Sequence, residues 1–210
     1  LNWIAPGQEL GRPDAVVVPG SKQTLRDLAA LRASGLGEQL SAHASRGGAV
    51  LGICGGMQLL GRELHDPQGL EGGAGSSHAG LNLLPLRTVF GEAKALRQCS
   101  SPALWPDAAE AALLEGFELH RGATSELEPC TALAAEAGLG WVAGNVVGTY
   151  LHGVFESGPW RRRWLNQLRA RKGLPLLSER QPHHSRQREA LLDRLADAFE
   201  QHVNLEPLLR

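Results

Sequence analysis

The stretch Val50-Leu51-Gly52-Ile53-Cys54-Gly55-Gly56-Met57-Gln58-Leu59-Leu60-Gly61 decides the fold. Ala49 to Ile53 is a short apolar run after Gly47-Gly48, the pattern of a buried strand. Cys54 closes the run, and Gly55-Gly56 opens a helical pattern carrying Met57, Leu59 and Leu60. A thiol at a strand-to-helix turn faces the positive end of the helix, which draws a cysteine pKa from ~8.5 toward roughly 3.5–7.5. A buried structural cysteine is the alternative. It leaves Gly52, Gly55 and Gly56 unexplained, because each costs conformational entropy in an element that only packs. The pattern predicts an acyl-transfer elbow with sulfur as the nucleophile.

Upstream, Asp14 to Pro19 is a β-branched run that ends in a Gly20-Ser21 turn. Ser21 or Thr24 is placed to cap a helix with Leu25, Leu28 and Leu31 at helical spacing, ended by Gly35. A second helix spans Leu36 to Ser45 and closes at Gly47-Gly48. Strand, helix, strand, helix in the first sixty or so residues argues for a parallel sheet with crossover helices. Gly20-Ser21-Lys22-Gln23 lacks the spacing of a phosphate-binding loop, so no ATP site is expected in this chain.

Downstream, His65 to Gly80 reads as a glycine-rich loop, with strands over Leu81 to Leu86 and Arg87 to Phe90. Gln98 to Asp107 reads as a surface excursion, and Leu127 to Ala137 as a weakly patterned helix. Gly116 to His120 alternates as a strand with Glu118 and His120 on one face. Trp141 to Tyr150 is a hairpin about Gly144-Asn145, followed by Leu151-His152-Gly153. A histidine at that strand end is a candidate base for Cys54, with a hydrogen-bonded structural histidine as the alternative. Pro159 to Arg171 predicts a helix whose Arg161, Arg162 and Arg163 form a solvated face. Ser185 to Val203 predicts a terminal docking helix with a stripe of Leu191, Leu195, Ala198 and Phe199. His183 and His184 are adjacent, a poor arrangement for two ligands on one metal, and no metal site is expected.

At 210 residues, with 42% apolar and 20% charged residues, the chain suits one compact domain. A formal net charge of −1 gives no case for nucleic acid or an anionic membrane as partner. No apolar run approaches the ~20 residues of a membrane span, and no signal peptide is recognisable. The three cysteines, Cys54, Cys99 and Cys130, stand far apart, which predicts a reducing, cytoplasmic setting. The sole methionine is Met57, and the expectation is a domain cut from a longer polypeptide, or a processed or trimmed chain.

The cysteine stretch and T-Y-L-H-G-V-F at Thr149 to Phe155 together resemble the class I, triad-type glutamine amidotransferases. More narrowly the chain resembles the glutaminase domains of the cobyric acid synthase group. Val16 to Leu28, Asp66 to Gly72 (D-P-Q-G-L-E-G), Gly116 to Gly122, Gly144 to Phe155 and Asp193 to Asp197 carry that likeness in collinear order. The resemblance implies an α/β, flavodoxin-like fold with a largely parallel central sheet flanked by helices. It implies that residues 1–210 form one glutaminase domain, the C-terminal part of a longer synthase. Cys54 would attack the side-chain amide of glutamine, and His152 would relay the proton. Backbone N–H groups at Gly55 and in the Gly20 turn would hold the oxyanion, worth ~3–4 kcal/mol per donor in other enzymes. Gln58 matches a position that contacts bound glutamine, with a solvent-facing helix residue as the alternative, and His120 would border the site.

The implied acceptors are corrin carboxylates, activated by a companion synthetase domain that uses ATP and magnesium; this domain itself needs no cofactor. One departure is plain. The class I pattern H-x-E has Val154 where the orienting glutamate belongs, as does the cobyric acid synthase group, and Glu156 is no evident substitute. Competing readings are a glutaminase subunit for lipid II amidation, a cysteine peptidase of the same superfamily, and a degenerate amidotransferase domain kept for docking.

Overall fold

The computed structural model describes residues 1–107 and 112–203. Its first elements follow the sequence pattern: β1 (Ala15–Val18), α1 (Thr24–Ala33), α2 (Leu36–Ser45), β2 (Ala49–Ile53) and α3 (Gly55–Leu60). Neither Ser21 nor Thr24 caps α1. Gln23 holds that position, and the Ser21 hydroxyl instead accepts the Gln23 N–H at 3.0 Å. Then come β3 (Glu63–Asp66), β4 (Ser76–Ala79), β5 (Leu86–Pro102), β6 (Leu113–Glu126), β7 (Thr131–Ala132), β8 (Gly140–Ala143), β9 (Val146–Thr149) and β10 (Leu151–His152). A short 3-10 helix, Val154–Glu156, leads into α4 (Gly158–Arg171) and α5 (His184–His202).

Two sheets result. In the first, ordered β1-β2-β9-β8-β7, the strands β1, β2 and β9 are parallel and β8 and β7 run antiparallel to their neighbours. Neighbouring residues on its strands serve opposite faces: Val50 and Val146 pack with Leu40 and Met57, whereas Leu51 and Val147 pack with Trp160 and Trp164 of α4. Both faces are covered, as a parallel sheet requires. The second sheet, ordered β10-β6-β5-β3-β4, is antiparallel except for the β3–β5 pair.

The second sheet was largely illegible in the sequence. His65 to Gly80 is not all loop: β3 and β4 pair across it. Leu81 to Pro85 is no strand, and Gln98 to Asp107 is no excursion, since β5 runs to Pro102 with Cys99, Ser101 and Ala103 buried. Leu127 to Ala137 is not helical; β7 and turns occupy it, because pairing with β8 overrides its Ala and Glu content. Arg163 departs from the expected solvated face, being buried and ion-paired with Glu179 at 2.5 Å. The terminal helix forms as expected but buries none of its residues.

Candidate active site

Cys54 stands between β2 and α3 with φ 52° and ψ −115°. A positive φ on a residue with a side chain is strained, and such strain clusters where function over-determines the backbone. The turn is held by the Cys54 N–H donating to Thr149 O at 2.7 Å and by Gln58 N–H donating to Cys54 O at 3.1 Å. The glycines after it permit a close approach. A Cβ at Gly55 would lie 2.7 Å from Ser21 N, and one at Gly56 would lie 2.6 Å from Pro19 O. So the Gly20-Ser21 turn after β1 sits directly against the start of α3, and both expected oxyanion segments meet beside the thiol.

His152 arrives from the second sheet. Strand β10 pairs with β6, placing His152 opposite Phe117, and the two rings stack at 5.0 Å with planes 8° apart. Gly20 lies between the two candidate residues: a Cβ there would lie 3.4 Å from His152 Cε1 and 3.7 Å from Cys54 Cβ. His152 Nε2 is buried and has no hydrogen-bond partner among the described residues. The Cys54 thiol meanwhile donates to Leu119 O at 3.4 Å. Thiol and imidazole thus both border Gly20, with the thiol turned to a backbone carbonyl.

The expected depression of the Cys54 pKa is not found. Burial raises it, the Gly55 N–H aimed at the sulfur lowers it, and the charge of Glu71 raises it again; the balance is upward. It is upward even though Cys54 stands at the N-terminus of α3.

Gln58 is 3% exposed, which rules out the solvent-facing alternative. Its side-chain amide donates to Arg121 O at 3.0 Å and to Tyr150 Oη at 3.2 Å. Its Oε1 accepts from Thr24 Oγ1 at 3.2 Å, leaving one acceptor position. His120 stacks on Tyr150 at 3.5 Å, and its Nε2 lies 3.5 Å from Glu118 Oε1. Burial lowers the His120 pKa, against the opposing pull of Glu118. Glu118 also holds Arg97 at 2.5 Å. The sequence placed Glu118 and His120 on one face correctly; that the ring would back onto Tyr150 was not legible.

No carboxylate forms an ion pair with His152 among the described residues. Val154, at the H-x-E position, is fully buried in the core with Leu151 and Trp160. Glu156 instead faces His184 at 3.7 Å and Arg188 at 3.9 Å. Sequence reasoning assigned no role to Glu71, although it lies in the quoted D-P-Q-G-L-E-G segment. No group of three or more His, Cys, Asp or Glu among the described residues is arranged to hold a metal.

Residues 1–160 match the family described as CobB/CobQ-like glutamine amidotransferase domain, and the chain belongs to that family. It is 68% identical over its whole length to the cobyric acid synthase of Synechococcus sp. (strain CC9311), of which it covers 44%. To the cobyric acid synthase of Prochlorococcus marinus (strain MIT 9313) it is 54% identical, covering 44% of that protein. The chain thus spans less than half the length of these curated relatives. Among solved structures, its fold resembles a glutamine amidotransferase (TM-score 0.53, 16% identity, 75% of this chain and 79% of that one). It also resembles PurLQS from Thermotoga maritima (TM-score 0.60, 14% identity, 80% of this chain and 85% of that one). These likenesses bear out the α/β amidotransferase fold. No helix among the described residues is long and apolar enough to cross a membrane.

Proposed function

We propose that this chain hydrolyses glutamine to glutamate and ammonia in the cytoplasm, and that the ammonia amidates the b, d, e and g carboxylates of a corrin. The observation that carries the reading is the strained Cys54 turn with His152 across Gly20 from it. The Cys54 thiol leaves Leu119 O and gives its proton to His152 Nε2 as sulfur attacks the side-chain amide carbon. Gly55 N–H and the Gly20-Ser21 turn receive the charge that develops on the amide oxygen. His152 returns the proton to the departing nitrogen, which leaves as ammonia from a thioester on Cys54. Water, deprotonated by the same imidazole, then attacks the thioester carbon and frees glutamate and the thiol. Gln58 contacts the substrate through its remaining acceptor position, and His120 keeps the Tyr150 side of the pocket dry.

The acceptor half of the reaction belongs to an ATP- and magnesium-dependent synthetase partner, consistent with relatives more than twice as long. The reading is tested by supplying glutamine labelled with nitrogen-15 at its amide to the chain together with the synthetase part, ATP, magnesium and adenosylcobyrinic acid a,c-diamide. Label in the corrin carboxamides, absent with Cys54→Ser, is the expected result. Unlabelled product formed only from free ammonia would overturn it.

A further inference from the structure

His152 lacks the hydrogen bond that ordinarily orients a basic imidazole. Neither of its ring nitrogens has a partner among the described residues, and Nε2 is buried. Val154 fills the H-x-E position and belongs to the core, while Glu156 is turned to His184 and Arg188. Glu118 stands next to Phe117 on β6, but it engages Arg97 at 2.5 Å and His120 at 3.5 Å. A base still has to be held within roughly 10–20° of its productive orientation, so something other than a carboxylate must fix this ring.

The backbone of His152 is pinned first. Strand β10 is two residues long and lies hard against β6 at Gly116, where a Cβ would run into His152 O. What remains free is the side chain. His152 and Phe117 are directly opposed across the β10–β6 pair, so both rings project from the same face of the sheet. They lie nearly coplanar, 8° apart, with centroids at 5.0 Å. That is an offset stack, the arrangement two flat rings prefer. The Gly20 turn closes the Cε1 edge of the imidazole. One face and one edge together define the ring's orientation. Phe117 is itself 38% exposed, so its ring contributes little to the core and most of its directional contact is with His152.

A phenyl face also suits both charge states of the base. On taking the Cys54 proton the imidazole becomes a cation, and a cation within ~6 Å of an aromatic centroid is drawn to the negative face of the ring. The stack therefore persists through the proton transfer and keeps Nε2 aimed inward for the return step.

We propose that Phe117 is the positioning residue for His152 and takes the place of the glutamate of H-x-E, an inference that rests on the glutaminase reading above. Its role is separate from binding: it acts through the imidazole and leaves the affinity for glutamine unchanged.

The test follows ammonia release from glutamine, with the synthetase part present, for wild type, Phe117→Leu and Phe117→Tyr. Leucine keeps an apolar side chain at a half-exposed site and removes the flat face; tyrosine restores the face. Phe117→Leu is expected to lose about 10-fold or more in kcat with KM within about 3-fold of wild type, and with a urea midpoint close to wild type. Phe117→Tyr is expected to stay within about 3-fold of wild type in kcat. An unchanged kcat in Phe117→Leu, a loss carried by KM, or a loss that Phe117→Tyr shares would overturn the assignment and leave the stack as cross-strand packing. Should Phe117→Leu fail to fold, Phe117→Met serves in the same assay with the same expected loss and the same contrary results. Wild type that releases no ammonia would sink the glutaminase reading and this inference with it. Wild-type hydrolysis that Phe117→Leu leaves intact would sink this inference alone.

Discussion

A φ of 52° at Cys54 costs about 1–3 kcal/mol, and the bonds to Thr149 O and from Gln58 N–H maintain it. The turn and its glycines were legible because they are chain-local. The thiol's protonation state was not, since it depends on burial and on Glu71, seventeen residues away. With its pKa raised, Cys54 stays a thiol at neutral pH, and the thiolate fraction grows only as pH rises through that elevated value. Alkylation of Cys54 by iodoacetamide is therefore expected to accelerate with a midpoint above the ordinary ~8.5, and to shift to lower pH in Glu71→Gln. A midpoint below neutrality would contradict this. Asp66 makes a second residue-scale case. Burial alone would raise its pKa, but the N–H groups of Glu71, Gly72, Leu70 and Gly69 outweigh it and hold the carboxyl low. Its stabilisation is present above the unfolded Asp value of ~3.9 and is lost as pH falls through the lower folded value. Asp66→Asn should cost roughly 2–3 kcal/mol in urea unfolding at neutral pH, with the gap to wild type closing in acid.

At the scale of elements, β2 and the β8–β9 hairpin announced themselves because both faces are buried or the turn is short and glycine-containing. Strand β5 did not. Its register with β6 shifts between Val89 and Lys94, so its alternation changes phase partway, and much of its length is polar and half exposed. The missing glutamate of H-x-E also belongs here. Val154 begins the short helix after β10 and points into the core between Leu151 and Trp160. Restoring the usual residue by Val154→Glu should not supply an orienting group for His152. It buries an unpaired carboxyl and should destabilise the fold by about 3 kcal/mol or more, read as a lower urea midpoint. A well-folded, more active Val154→Glu would contradict the placement. Gly56→Ala is expected to cost about 1–3 kcal/mol through its clash with the backbone of Val18 and Pro19.

At the scale of the molecule, the candidate site is a joint between two sheets: Cys54 follows a strand of the parallel one and His152 comes from the antiparallel one. The parallel half was legible from hydrophobic runs and crossover spacing. The antiparallel half was not, because long-range pairing sets its strands. The expected stripe on α5 is present but uncovered, with Leu191 47%, Leu195 57% and Phe199 52% exposed. Among the described residues, the ion pairs from α5 to the rest of the chain all come from its first turns, His184 and Arg188 to Glu156 and Arg186 to Glu115, all surface pairs. Truncation after Ser185 should therefore change the unfolding free energy by no more than about 1 kcal/mol. The most direct test of the Cys54–His152 site is ammonia release from glutamine with the synthetase part present, comparing wild type with Cys54→Ser and His152→Asn. Wild type should release glutamate and ammonia in equal amounts, with losses of about 100-fold or more in each variant. Hydrolysis that survives either substitution, in folded protein, would contradict it.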